Sequence, residues 1–158
     1  MSAGDEAYRG EYSISSDSAK LDVAVIHQFL SGSYWSPGLP LDVLQRALAG
    51  SLCFGLYHRG VQVGFARVIT DRATFAYLCD VFVLDSYRGQ GLGRWLMEVV
   101  SSHPDLQGLR RIVLVTRDAH GLYEKFGFSP LAKPGGYMEL HRPDVYIQAA
   151  NRESPNPS

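Results

Sequence analysis

From Arg88 to Gly93 the chain reads Arg-Gly-Gln-Gly-Leu-Gly, with glycine at alternate positions. Glycine lets a backbone turn sharply and lets a ligand approach it closely. From there on, Leu92, Trp95, Leu96, Val99 and Val100 carry the i, i+3, i+4, i+7, i+8 stripe of an amphipathic helix. Unpaired N–H groups and the positive dipole end at a helix start suit an anion, so the stretch is a candidate phosphate cradle. The competing reading is a glycine-rich strand-to-helix turn with no ligand. A second chemical signal lies just upstream. Asp80 interrupts the run from Tyr77 to Leu84, which is otherwise apolar, β-branched and aromatic apart from Cys79 and predicts a buried strand. A carboxylate there is expensive to bury unless it is hydrogen-bonded or faces a polar cavity. Two roles are open to it: meeting a cationic substrate, or serving the fold as the partner of a nearby arginine or of backbone.

Known phosphate loops can be compared with the hexapeptide. A nucleoside-triphosphate loop, G-x-x-x-x-G-K-S/T, needs a Lys-Ser or Lys-Thr pair, which is missing here. A dinucleotide fingerprint, G-x-G-x-x-G, finds Arg94 where its third glycine belongs. A third pattern fits. Arg88-x-x-Gly91-x-Gly93, preceded by Val-Phe-Val-Leu-Asp-Ser-Tyr, resembles the acetyl-CoA loop Q/R-x-x-G-x-G/A of the GCN5-related N-acetyltransferase (GNAT) family. Downstream, the segment from Leu122 to Phe128, Leu-Tyr-Glu-Lys-Phe-Gly-Phe, is similar to that family's L-Y-x-K-x-G-F. The resemblance covers roughly residues 12–141.

The resemblance implies roles for named residues. Backbone groups of Val81, Phe82 and Val83 would pair with the pantetheine arm of acetyl-CoA as a further strand. Behind Arg88, the N–H groups of Gly89, Gln90, Gly91, Leu92, Gly93 and Arg94 would hold the pyrophosphate. Acetyl transfer to an amine needs a base, an acid for the departing thiolate and a polariser of the carbonyl, because an alkyl ammonium has a pKa near 10. Tyr123 is the expected acid, with a core aromatic as the competing reading, and the N–H of Val83 or a neighbour is the expected polariser. Some members carry adjacent acids in the strand, E-D-F-F-V; here Cys79 replaces the first, and Asp80 is the candidate base and ammonium ligand. His120 is the reserve base, or a surface histidine. Thr116 stands where the family often has asparagine. Tyr34, Trp35 and Tyr77 are the expected acceptor wall, to which Phe75 and Tyr137 could add.

These residues need a scaffold, and the chain supplies the patterns of one. At 158 residues and 17.5 kDa it is long enough for a single cored domain. A formal charge of −1 without a basic run offers no reason to expect nucleic acid or an anionic membrane as partner. The N-terminal residues lack the apolar core of a secretory signal, and Cys53 and Cys79 read as buried free thiols, so a cytoplasmic setting is expected. His27, His58, His103 and His141 show no metal-ligand spacing, so no metal is expected. In order, the patterns predict a short strand at 11–15 and a helix capped by Ser16 or Asp17 with its stripe from Leu21 to Leu30. An aromatic loop at 31–40 and a helix at 41–48 follow. Next come a hairpin of strands at 52–57 and 62–70, the long strand at 74–84 and the helix from Leu92. A strand at 111–116, a helix at 119–125 capped by Asp118 or Thr116, and a last strand from Tyr137 to His141 complete the chain.

The expected architecture is a single α/β (α+β) GNAT-like domain over 11–147, a mixed sheet of about six to seven strands flanked by about four helices. Residues 1–10 read as a mobile N-terminal segment and 148–158 as a flexible polar tail. The resemblance implies an acetyl-CoA-dependent transferase acting on a small primary amine in a ternary complex, and leaves a homodimer open. The alternatives are acetylation of a protein lysine or N-terminus, and an acyl-CoA-binding domain without turnover.

Overall fold

A computed structural model describes residues 6–147; the proposed 148–158 tail and the first five residues lie outside them. One mixed sheet runs in the order β1-β2-β3-β4-β5-β6. Its strands are β1 (Glu6–Arg9), β2 (Tyr12–Ser15), β3 (Leu52–His58), β4 (Val61–Thr70), β5 (Phe75–Val83) and β6 (Arg111–Leu114). All neighbours are antiparallel except β5 and β6, which are parallel. Among the described residues the α-helices are α1 (Val23–Ser31), α2 (Leu41–Ala49), α3 (Leu92–Ser102) and α4 (His120–Glu124), with short 3-10 turns between elements.

Local chemistry explains most boundaries. The α1 cap is Asp22, whose carboxylate accepts the N–H of Val25; Asp17 instead caps the 3-10 turn Ser18–Lys20 through Ala19. The helix therefore starts later than Ser16 or Asp17 predicted, at Asp22. The β3–β4 hairpin closes with Arg59 at φ 49° and Gly60 at φ 82°, the two left-handed residues that a twisted two-residue turn requires. The Asp71 carboxylate accepts N–H groups from Ala73, Thr74 and Phe75, which ties off the β4–β5 turn. Thr116 Oγ1 accepts the N–H of Ala119, the residue that caps α4; neither predicted cap, Asp118 nor Thr116, bonds an N–H of the helix's first turn.

The sheet has a core on each face. Alternate residues such as Phe54, Leu56, Val68 and Leu78 pack with Trp95, Leu96, Met97 and Val100 of α3 and with Tyr123 of α4. The opposite face sets Cys53, Phe65 and Phe82 against Ile26, Leu30 and Leu44 of α1 and α2. Buried Gln62 spends both ends of its amide, donating to the carbonyl of Gly64 and accepting from the N–H of Asp22.

Two expectations are corrected. Residues 6–9, assigned to a mobile N-terminal segment, form β1 in full register with β2, Glu6 opposite Ser15 and Arg9 opposite Tyr12. Their polar composition hid the strand, because an edge strand carries charge rather than an apolar face. The predicted last strand, Tyr137–His141, pairs with nothing among the described residues, so the sheet has six strands and ends at β6.

Candidate active site

The site is built around an irregularity in β5. In the β4–β5 ladder Phe65 faces Phe82 and Arg67 faces Cys79, so Ala66 alone stands opposite both Asp80 and Val81. That is a β-bulge, and Asp80 occupies it at φ 54°. A left-handed non-glycine costs on the order of 1 kcal/mol, least for aspartate and asparagine. Something must hold it there. Both carboxylate oxygens of Asp80 are engaged: Arg67 Nε donates to Oδ2 at 2.7 Å and Trp35 Nε1 to Oδ1 at 2.9 Å. Arg67 NH1 donates onward to Ser51 Oγ, and Ser51 donates to the carbonyl of Ala47 at the end of α2. Of the two roles open to Asp80, the arginine partner is the one this geometry supplies, with both side chains largely buried (10% and 16% exposed).

Beyond the bulge β5 leaves its parallel neighbour. The β5–β6 ladder stops at Leu78 opposite Leu114, whereas β5 continues to Val83. The N–H of Leu84 donates to the carbonyl of Val63 at 2.8 Å. Antiparallel pairs alternate between bonded and unbonded, so Val83, opposite Gly64, turns its N–H and C=O away from β4. Its carbonyl accepts Arg88 Nε at 3.0 Å.

The gap between the parted strands is a cleft of about 1370 Å³. Cys79, Asp80, Val81 and Phe82 line one side, and Leu114, Thr116, Asp118 and Tyr123 the other. Tyr34 and Trp35 close it from the α1–α2 loop, held by the Trp35–Asp80 bond and by Arg117, whose guanidinium lies 3.8 Å from the centre of the Tyr34 ring. Tyr123 is 8% exposed; burial, and then the charge of Asp118, push its phenol above the ordinary value of 10.0. Neither Asp118 nor Glu139, which also lines the cleft, makes an ion pair among the described residues.

At the cleft's other end Gly89 and Gly91 take φ 81° and 77°, and Gly91 is the N-cap of α3 without any side-chain cap. A Cβ added at Gly89, Gly91 or Gly93 would meet nothing within 4 Å. The leading N–H groups of α3 therefore border open space, a fit for a phosphate group. Gln90 is steadied by Tyr12, whose hydroxyl donates to Oε1 at 3.0 Å, while Tyr12 stacks on His58 at 4.6 Å.

Tyr34, Trp35, Tyr77, Asp80, Val81, Phe82, Arg88 and Tyr123 thus border one cleft, with the glycine loop adjoining through Arg88. Phe75 and Tyr137 are not among its lining residues, and His120 is exposed outside it. Sequence reasoning missed Arg67. Its signal was present: an arginine inside the apolar run of β4 raises the same burial cost that singled out Asp80. Tyr12 and Ser51 have no local signal, since each acts on a partner distant in sequence. Among the described residues no helix is long and apolar enough to cross a membrane, and no group of three or more His, Cys, Asp or Glu could hold a metal ion.

Comparisons with known proteins bear on the family and the fold. Residues 49–130 match the family model described as an acetyltransferase (GNAT) domain. A candidate acetyltransferase of Gibberella zeae is 39% identical over 140 residues, 74% of this chain and 78% of that protein. The crystal structure of a candidate GNAT acetyltransferase from Xanthomonas campestris pv. campestris superposes with a TM-score of 0.83 at 51% identity, covering 85% of this chain and 96% of that one. At 15% identity and a TM-score of 0.60, a candidate acetyltransferase from Clostridium acetobutylicum, its crystal structure determined with acetyl-CoA, shares the fold over 82% of this chain and 94% of its own.

Proposed function

The chain belongs to the GNAT family of acetyltransferases, and from that premise we propose that it moves the acetyl group of acetyl-CoA to a primary amine of a small molecule, by direct attack in a ternary complex. The observation that carries the reading is the parting of β5 from β6 beside an uncapped, glycine-built helix start. An extended arm can lie along the freed edge of Val81–Val83 while a pyrophosphate sits against the N–H groups from Gly89 to Arg94. Acetyl-CoA supplies the activated acetyl group.

The chain's own residues do the rest. The N–H of Val83, turned away from β4, can bond the carbonyl oxygen as charge develops on it. The amine nitrogen, stripped of its proton by water or a cleft carboxylate, forms the C–N bond as the C–S bond breaks. Tyr123 gives its hydroxyl proton to the leaving sulfur, and its raised pKa keeps that proton in place at neutral pH. Asp80, neutralised by Arg67, acts as a positioning residue holding the bulge and the Trp35 wall. Asp118, beside Tyr123 and without an ion pair among the described residues, is left to attract a cationic amine. Two unpaired thiols support a cytoplasmic setting.

The test is a panel of small amines, lysine peptides and buffer alone, read by CoA thiol release. Turnover with a small amine is expected. Turnover confined to peptides would move the acceptor to protein, and acetyl-CoA binding without turnover on any acceptor would leave a non-catalytic domain.

A further inference from the structure

The glycine loop is tethered from outside the cleft. Among the described residues neither Gly89 nor Gln90 makes a backbone hydrogen bond, and left-handed glycines stand on both sides of Gln90. Glycine has more conformational freedom to lose than any other residue. A cradle of N–H groups binds an anion tightly only if its backbone is already ordered when the anion arrives. The bond that ties this stretch to the sheet is the one from the Tyr12 hydroxyl to Gln90 Oε1, across 78 positions of sequence. Tyr12 is itself held. It lies opposite His58 in the β2–β3 ladder and stacks on that ring with 24° between the planes. A carboxylate only accepts, so His58 Nε2 donates to Glu11 at 3.2 Å, and in the neutral ring Nδ1 accepts the Tyr87 hydroxyl at 3.2 Å. Tyr87 ends the 3-10 turn that leads into the loop. One stack of Tyr12 and His58 thus holds the chain at Tyr87 and again at Gln90, on either side of Gly89.

We propose that Tyr12 is a positioning residue for acetyl-CoA: its hydroxyl, acting through the side chain of Gln90, orders the pyrophosphate loop. The role rests on the reading of that loop as the pyrophosphate site. β2 stays paired with β1 and β3 whether or not the bond is made, so the fold does not depend on it. The loop does. Without the tether, the ligand must supply the order of Gly89 and Gln90 at the moment of binding, and affinity falls by that cost. Tyr12, His58 and Tyr87 are not among the residues that line the cleft, so the effect belongs to the pyrophosphate and not to the acetyl end of the ligand.

Isothermal titration of acetyl-CoA into the full chain tests this as a double-mutant cycle. Tyr12→Phe keeps the stacked ring and removes the donor; Gln90→Met keeps the length and removes the acceptor. Each should raise Kd about twofold to tenfold, the range that one net hydrogen bond supports. The double variant should bind no more weakly than either single one. S-acetylpantetheine, which carries the acetyl arm without the pyrophosphate, should bind Tyr12→Phe and the wild type alike. An unchanged Kd for acetyl-CoA in Tyr12→Phe, losses that multiply in the double variant, or an equal loss for S-acetylpantetheine would overturn the proposal. Gly91→Asp separates it from the reading on which it rests. A wild type that takes up no acetyl-CoA, or a Gly91→Asp variant that binds it as the wild type does, would remove that reading and the proposal with it. Binding lost in Gly91→Asp but unaltered in Tyr12→Phe would leave the loop its role and overturn only the part given to Tyr12.

Discussion

At Tyr123, burial and neighbouring charge act in one direction, holding the phenol proton above pH 10.0. A general acid works only while protonated, so a raised pKa moves its loss to more alkaline solution. The acceptor works only when deprotonated, with a pKa near 10 for an alkyl ammonium. kcat/KM should therefore climb with pH and show no falling limb below pH 10.0. Tyr123→Phe should cut turnover about 10²–10⁴-fold while the thermal shift given by acetyl-CoA is unchanged; unaltered turnover under chemistry-limited conditions would remove Tyr123 from the mechanism. Asp80 invites a different experiment. Asp80→Asn keeps an acceptor for Trp35 and tolerates the left-handed backbone, so what it removes is charge. The guanidinium of Arg67 is then stranded, and loss of one member of such a pair typically costs about 3–5 kcal/mol. A lowered melting temperature with normal amine KM in the folded fraction is expected; a raised amine KM in a stable variant would return Asp80 to the substrate.

The elements make the cofactor end of the site. Gly93 is not left-handed and has open space at its Cβ position, so Gly93→Ala adds a methyl to the cradle without straining the backbone. In a helix the change from glycine to alanine is favourable by about 0.5–1 kcal/mol. The apo melting temperature should hold or rise while the acetyl-CoA thermal shift shrinks. Gly91→Asp adds a negative charge at a position of φ 77°, and its acetyl-CoA shift should vanish; an intact shift would place the pyrophosphate elsewhere. The patterns of β3, β4, β5 and α3 were legible because each has a face buried against this chain's own core. The bulge was not. It is a mismatch between two strands, and no period within β5 alone records that Ala66 faces two residues.

Across the whole molecule, Cys53 and Cys79 flank Arg67 in adjacent strands of the sheet. Burial, the largest cause, pushes their thiols up to about 11 and about 12. The thiolate is the reactive form, so the folded protein should leave a thiol reagent almost unreacted at pH 8 and release both equivalents on denaturation. Rapid reaction of one equivalent in the native protein would mean that Cys79 is reached through the cleft it lines, and of both that the sheet opens there.

By itself the sequence determined the family and most of the scaffold: the glycine loop, Tyr123 in its segment, and the order of strands and helices are all local patterns. Asp80 was also marked by the cost of a carboxylate in an apolar strand. What held that carboxylate was decided by tertiary structure. Arg67, Trp35 and Ser51 come from three different segments and meet only when the sheet and the α1–α2 loop close on one another. The same holds at the edges, where alternation predicted a strand at 137–141 but said nothing about its neighbour. A strand needs a partner for its backbone groups, and the choice of partner is made in three dimensions.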